Sequence, residues 1–131
     1  MAEGTPLDRK LGIKPGHLVT LRHAPPGWLF PDVTVQEGED DIAGADVVLA
    51  FYRHADLSDD VTTLASGLAV ASSLWVCWPR RAGGHRSDIT DNLLLELLLP
   101  TGLVDVKVAA LSQDWSGLKF VWRKELRALR T

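Results

Sequence analysis

The sequence has 131 residues, of which 46% are hydrophobic and 24% are charged, values typical of one globular domain rather than of a disordered or fibrous chain. Its net charge of −3 provides no broad positive field, which excludes nucleic acid as an expected partner. No apolar run is long enough to span a membrane and no leader pattern precedes the first strand, so we expect a single cytoplasmic domain over residues 1–131.

The N-terminal part of the chain predicts one short helix and two short strands. TPLD is a helix start and Gly12 a stop, so residues 1–16 are predicted to form a helix and a connecting loop. HLVTL then predicts a strand that ends at Arg22 and His23, and the alternation in Asp32–Gln36 predicts a second strand. About nine residues separate the two, fewer than a parallel crossover normally needs, so we do not expect an ordinary βαβ pair.

Two continuous apolar runs, ADVVLAFY (45–52) and SLWVCW (73–78), predict central parallel strands that are covered by helices on both faces. Between them, Ser58–Val70 predicts a crossover helix because its apolar side chains share one helical face. The loop PRRAGGHRS follows the second run. It leads to a helix that starts near Asp88–Thr90 and stops before Pro100.

The C-terminal part predicts an antiparallel hairpin. Its strands are LVDVKVAAL (103–111) and GLKFVW (117–122), joined by SQDWS, and a short basic tail follows at 124–131. In the first of these strands the valines oppose Asp105 and Lys107, an alternation that fits the outer part of a sheet. The predicted fold class is therefore α/β, with a largely parallel twisted sheet, flanking helices and a C-terminal antiparallel hairpin.

Several stretches resemble known families. LGIKPGHLVTL resembles the approach to the first strand of class I S-adenosylmethionine-dependent methyltransferases, and the stretch from ADVVLAF through LWVCWP to VKVAALSQDWSGLKFVW resembles the later half of that Rossmann-like fold. LGIKPG, ITDN, LPTGLVDVKV and WSGLKFVWR resemble a family of small bacterial proteins known as domain of unknown function three-thousand-fifty-two. The resemblance implies a methyltransferase-like fold in the bacterial cytoplasm and assigns no catalytic residues.

Ligands of open α/β sheets bind beyond the carboxyl ends of the strands. In methyltransferases the loop after the first strand is glycine-rich, because the cofactor needs free N–H groups and a close backbone. Here Pro25 and Pro26 remove two donors, and Glu37, at the usual position of the ribose-binding acid, ends a strand that lacks its connecting helix. We therefore predict no cofactor. Two alternatives follow for this loop. Either an apolar or aromatic ligand binds against Pro26 and Trp28, or the loop is a stiff turn in which Trp28 fills the ligand site.

Three histidines, His23, His54 and His85, follow successive predicted strands and are expected at one edge of the sheet. Together with Asp56 they have the chemistry of a divalent metal site. No HxxxH or HExxH pair fixes ligand geometry locally, so we predict solvated histidines and no metal.

Arginines crowd the same edge. Arg53, Arg80, Arg81 and Arg86 suit a carboxylate or phosphate ligand, and the glycines in GGH would let their loop wrap around it. Neighbouring aspartates favour the alternative, a rim of surface ion pairs that contribute about 0 to 1 kcal/mol each.

The single cysteine and the tryptophans have competing interpretations. Cys77 lies in the apolar run LWVCW and is predicted to be a core residue. Ser116 precedes a glycine but lacks the strand-to-helix GxSxG context of a nucleophile. Trp115, expected at the hairpin tip, is either a recognition residue or packs against Trp28 or Trp78.

The helix DNLLLELLLP carries six leucines, and its apolar arc is wider than one sheet contact requires. Either the C-terminal tail covers it, through Leu126 and Leu129, or the helix over Asn92–Leu99 forms a homodimer interface.

The sequence contains neither a cofactor fingerprint nor a nucleophile and base with local support, so we predict a non-catalytic domain that binds a small molecule or a protein. The first alternative is a small enzyme that uses the edge histidines on a small anionic substrate. The second is a structural or partner-binding protein that acts through the leucine-rich helix or the hairpin. The candidate ligand-binding residues are His23, Pro26, Trp28, Arg53, His54, Trp78, Arg80, Arg81, His85 and Trp115.

Overall fold

One mixed sheet forms the centre of the molecule. The computed structural model describes residues 11–14, 16–23, 34–37, 44–52, 60–80, 89–112 and 115–125. The six strands in this part of the chain are β1 (Leu18–Arg22), β2 (Thr34–Glu37), β3 (Val47–Phe51), β4 (Ser73–Pro79), β5 (Leu103–Ala110) and β6 (Trp115–Trp122). Their order is β2-β1-β3-β4-β6-β5, with the first four parallel and the last two antiparallel to their neighbours. The predicted α/β fold class is confirmed.

The central strands β3 and β4 are the two apolar runs of the sequence. Every residue of β3 is buried, as expected for a parallel strand that is covered on both faces. Most of β4 is buried as well, and it pairs in parallel with β3 and antiparallel with β6. The prediction of central parallel strands is therefore confirmed.

Two α-helices have both ends in the described part of the chain, α1 (Val61–Gly67) and α2 (Asp91–Leu98), and a 3-10 turn over Leu99–Thr101 follows α2. The backbone N–H of Leu93 donates to the Thr90 side-chain oxygen at 3.1 Å, which caps the start of α2. The chain leaves α1 in an extended conformation at Leu68, two residues before the predicted helix end. The beginning of that predicted helix, residues 58–59, lies outside the described residues, as does the predicted N-terminal helix up to residue 10.

The sheet has a helical face and an opposite face. On the helical face, side chains from α1 and α2 pack against the sheet; they include Leu64, Leu94 and Leu98. On the opposite face, Leu11 and Ile13 pack with the sheet residues Leu49 and Trp75. The Trp75 indole N–H donates to the Leu11 carbonyl at 3.1 Å and fixes the N-terminal segment there. We predicted helices on both faces; α1 and α2 both lie on one.

β1 and β2 are parallel neighbours, with Leu18 beside Thr34 and Leu21 beside Glu37. The sequence predicted that the connection is too short for an ordinary βαβ pair; the two strands are parallel, and the βαβ prediction itself stays untested. The conformation of that connection, residues 24–33, lies outside the described residues.

The hairpin differs from its prediction at both strands. β6 begins at Trp115 rather than at Gly117, because Trp115 already pairs with Pro79 of β4. A bulge between Asp105 and Lys107 inserts Val106 into β5. This extra residue interrupts the predicted alternation, so Val106 and Val108 are 52% and 64% exposed instead of sharing a buried face.

The predicted core position of Cys77 is confirmed. Its side chain is fully buried, and burial raises the pKa of the thiol far above its ordinary value. The residue is therefore a protonated, unreactive part of the core.

The leucines of α2 are packed within the single chain. Leu94 and Leu98 are fully buried, and Leu93, Leu95 and Leu97 are half-buried against the same core. The homodimer through this helix stays a prediction. Leu126 and Leu129, which we expected to cover it, lie outside the described residues. No helix in the described ranges has the length and apolar character needed to cross a membrane.

Candidate functional site at the carboxyl edge of the sheet

The strand order reverses between β1 and β3. The chain leaves β1 for β2 on one side and returns to form β3 on the other. In open α/β sheets this reversal opens a crevice beyond the carboxyl ends of the two strands, which is where ligands bind. The candidate site is therefore the region beyond the ends of β1 and β3.

Four polar side chains meet in this region, and we call them the switch-point cluster: Arg22 and His23 at the end of β1, Tyr52 at the end of β3, and Asp60 at the start of α1. The three side chains from the strands surround one carboxylate oxygen, Asp60 Oδ2. The Tyr52 hydroxyl donates to it at 2.9 Å, Arg22 Nη2 lies 3.3 Å from it, and His23 Nε2 lies 3.4 Å from it.

Burial differs across the switch-point cluster. The Arg22 side chain is only 5% exposed, whereas His23 is 39% and Asp60 28% exposed. The rings of His23 and Tyr52 meet edge to face, with centroids 5.6 Å apart. His23 is therefore the member that offers most surface to a ligand, and the guanidinium and phenol behind it hold its carboxylate partner in place.

Asp60 occupies the N-cap of α1, yet its side chain makes no capping hydrogen bond. An aspartate at this position normally accepts from the first turn, which stabilises a helix by about 1 kcal/mol. Here the carboxylate points to the strand ends instead. Its position beside the positive end of the helix still favours the charged form.

The protonation states follow from the contacts. Burial would raise the pKa of Asp60, but the hydrogen bond from Tyr52 and the charge of Arg22 outweigh it and hold that pKa below its ordinary value. Burial and the neighbouring Asp60 raise the pKa of Tyr52. Burial opposes the charge of Arg22, but the interactions with Tyr52 and Asp60 keep its pKa above the ordinary value. At neutral pH the cluster thus contains a guanidinium, a carboxylate and a neutral phenol.

His23 has a left-handed backbone conformation, with φ of 58°. It is the only non-glycine residue with positive φ in the described ranges. Side chains in this conformation cost about 1 to 2 kcal/mol, although histidine tolerates it better than most residues. His23 directly follows the last residue of β1 and precedes APPGW in the sequence.

Six of the ten predicted site residues lie outside the described residues: Pro26, Trp28, Arg53, His54, Arg81 and His85. The expected meeting of His23 with His54 and His85 therefore stays a prediction. In the described ranges, no three histidine, cysteine or acidic side chains come together as metal ligands.

The other described candidates have structural contacts away from the switch-point cluster. Trp115 is buried in β6, not exposed at a hairpin tip, and its ring lies 5.1 Å from that of Phe51 in an edge-to-face contact. Trp78 is half-buried against the core on the helical face. Arg80 donates to the Ser112 carbonyl at 3.1 Å and so connects the end of β4 to the hairpin turn.

Comparison with solved structures identifies the fold. The chain is similar to TrmN from Thermus thermophilus (TM-score 0.57, 13% identity, 89% of this chain and 47% of that one). It is similar to a TehB-like SAM-dependent methyltransferase from Corynebacterium glutamicum (TM-score 0.58, 9% identity, 88% of this chain and 85% of that one). It is also similar to a putative methyltransferase from Thermoplasma acidophilum (TM-score 0.51, 10% identity, 95% of this chain and 77% of that one).

These similarities show that the chain has a methyltransferase-like, Rossmann-like α/β fold. The chain spans about half the length of TrmN. No protein-family model and no curated protein matches the sequence. The resemblance to the small bacterial family of unknown function therefore stays a prediction.

The described residues do not fit the usual cradle for S-adenosylmethionine, the cofactor that this fold suggests. A glycine-rich turn lets the backbone approach a cofactor closely. At the end of β1, where that turn would begin, the chain has the bulky side chains of Arg22 and His23, and the segment 23–30 contains one glycine and two prolines. The Arg22 guanidinium is already bound to a carboxylate of the same chain. The position of Glu37 at the end of β2 is the one feature that agrees with the cradle.

Proposed function

We propose that this protein is a non-catalytic domain that binds a small polar molecule beyond the ends of β1 and β3. The observation that carries the proposal is the switch-point cluster, in which a half-exposed His23 is held against Asp60 at the reversal of strand order. His23 Nε2 faces Asp60, and the His23 side chain is 39% exposed, so part of the imidazole surface is accessible to a ligand. A hydroxyl, amine or acid group is the matching ligand chemistry.

The same proposal holds that the protein does not transfer methyl groups. Arg22 and His23 bring side chains to the place where a methyltransferase needs an open backbone, and the two prolines of HAPPGW remove donors. We further place the domain in the bacterial cytoplasm, in accord with the sequence resemblance.

The test measures thermal stability with S-adenosylmethionine, S-adenosylhomocysteine, ATP, GTP and citrate as separate probes. A ligand that binds the native state raises the melting temperature. We expect at least one probe to stabilise the natural protein and a Glu96→Gln control, because Glu96 is exposed on α2. The same probe should not stabilise His23→Gly, which removes the imidazole and permits the left-handed turn.

Two results would overturn the proposal. Either no probe stabilises the natural protein, or the stabilisation survives in His23→Gly and the ligand binds elsewhere. Formation of S-adenosylhomocysteine from S-adenosylmethionine in the presence of a host-cell extract, above the level seen with His23→Gly, would establish methyl transfer instead.

A specific observation favours a second function, general base catalysis by His23. An imidazole at 3.4 Å from a carboxylate resembles the pairs in which an acid orients a catalytic base. This alternative expects turnover of a bound probe that disappears in both His23→Asn and Asp60→Asn. Binding without turnover favours the non-catalytic function.

A further inference from the structure

Two lysines face each other on the sheet surface opposite the helices. Lys107 of β5 is the cross-strand partner of Lys119 of β6, and Lys119 is in turn the partner of Trp75 on β4. The three residues therefore form one row across neighbouring strands. Lys107 Nζ lies 5.9 Å from the centre of the Trp75 ring, which confirms that both side chains are on this face.

Among the described residues, no carboxylate contacts either ammonium group of this lysine pair. Partial burial and the charge of Lys107 both lower the pKa of Lys119. Like charges that lie directly opposite each other across strands are destabilising.

The position of Lys119 is also constrained. A Cβ atom added to Gly12 would lie 3.3 Å from Lys119 Nζ, so the ammonium group sits beside the turn of the N-terminal segment. That segment is itself fixed by the hydrogen bond from Trp75 to Leu11. One of the two ammonium groups is therefore held by its surroundings, while Lys107 is more exposed and free to adjust.

We propose that Lys107 and Lys119 form a binding site for a small oxyanion of the phosphate or carboxylate class. An anion between the two ammonium groups would remove their repulsion and accept a charge-assisted hydrogen bond from each. The buried Trp75 ring lies beneath Lys107, and Gly12 lies beside Lys119. The site is independent of the proposed function: it lies on the other face, and β3 and β4 separate β6 from β1.

The experiment compares inorganic phosphate with chloride at equal ionic strength and neutral pH, with the melting temperature as the readout. The variants are Lys107→Gln, Lys119→Gln and the double variant. Lys124→Gln is the matched control, because Lys124 is an exposed lysine that follows β6. Lys119→Arg tests whether a positive charge alone is sufficient.

We expect phosphate to raise the melting temperature of the natural protein and of Lys124→Gln by several degrees more than chloride does. Lys119→Arg should keep part of this difference, since it keeps the charge. Both glutamine variants should lose it, and in chloride each should melt at a higher temperature than the natural protein because the repulsion is gone.

Equal effects of phosphate and chloride on the natural protein would overturn the proposal, since simple screening then explains the stabilisation. A phosphate effect that persists in the double variant would overturn it too, because the anion would then bind elsewhere. Phosphorus NMR line broadening on addition of protein gives a second readout, which should disappear in the double variant.

Discussion

The switch-point cluster and the lysine pair show two ways in which this sheet accommodates charge. In the cluster, a guanidinium that is 5% exposed is compensated by a carboxylate, and the same carboxylate accepts from a phenol. In the lysine pair, two ammonium groups are neighbours without a carboxylate from the described residues. The first arrangement is complete within the fold, whereas the second is improved by an external anion. The difference separates a guanidinium that is neutralised within the fold from two ammonium groups that an external anion would neutralise.

The largest expected effect comes from removing the carboxylate of the switch-point cluster. Asp60→Ala leaves the Arg22 guanidinium buried without its carboxylate, and we expect a loss of about 3 kcal/mol of unfolding free energy. Chemical denaturation measures the loss. Asp91→Ala is the control, because Asp91 is an exposed acid in the first turn of α2 and should contribute less than about 1 kcal/mol. Equal losses for the two variants would contradict the structural role of the cluster.

Acid should weaken the switch-point cluster in a defined pH window. The pKa of Asp60 is lowered by folding, so its stabilising contribution is complete above the unfolded-state pKa of about 3.9 and falls as pH drops through the lower folded-state pKa. Unfolding free energies of the natural protein and Asp60→Asn should therefore converge below about pH 4. A constant difference between the two proteins from neutral to acid pH would contradict this mechanism.

An intermediate effect is expected from the left-handed backbone at His23. Both His23→Ala and His23→Gly remove the imidazole, but the glycine variant should be more stable by about 1 kcal/mol because it adopts positive φ without strain. In strand β5 the order should reverse, with Lys107→Ala more stable than Lys107→Gly. Thermal unfolding of the four variants tests the contrast; the same order at both positions would refute it.

The smallest expected effect is the repulsion between the two lysines. In a double-mutant cycle with Lys107→Gln and Lys119→Gln, we expect an unfavourable coupling of about 0.2 to 1 kcal/mol that shrinks as salt is added. The cycle between Arg22→Met and Asp60→Asn should give a favourable coupling that responds less to salt, because that pair is more buried. A favourable coupling between the lysines would remove the basis of the anion site.

The sequence predicted the apolar strands well because a strand that is buried on both faces leaves a direct trace in composition. VVLAF and LWVCWP are runs without charged residues, and they form β3 and β4 with few changes at their ends. The hairpin was less predictable. The bulge at Val106 depends on how β5 pairs with β6, which the alternation of LVDVKVAA does not reveal.

The sequence predicted the position of the candidate site but only some of the residues that form it. The carboxyl edge and His23 were expected, whereas Tyr52 lay in a predicted strand and Asp60 in the predicted helix Ser58–Val70. The available signal was that Arg22, Tyr52 and Asp60 all stand where an element ends or begins at that edge. Their meeting on one carboxylate oxygen depends on the parallel pairing of β1 with β3 and on the placement of α1, and neither can be read from local sequence.

The sequence by itself determined the fold class, the burial of Cys77 and the absence of a glycine-rich cradle, because these depend on composition and local residue types. Tertiary structure decided which charges are compensated. Arg22 and Asp60 are separated along the chain and become neighbours only through the strand order. Lys107 and Lys119 lie on different strands and become neighbours only through the register of β5 with β6. Charge interactions depend on distance and burial, and both are properties of the folded molecule.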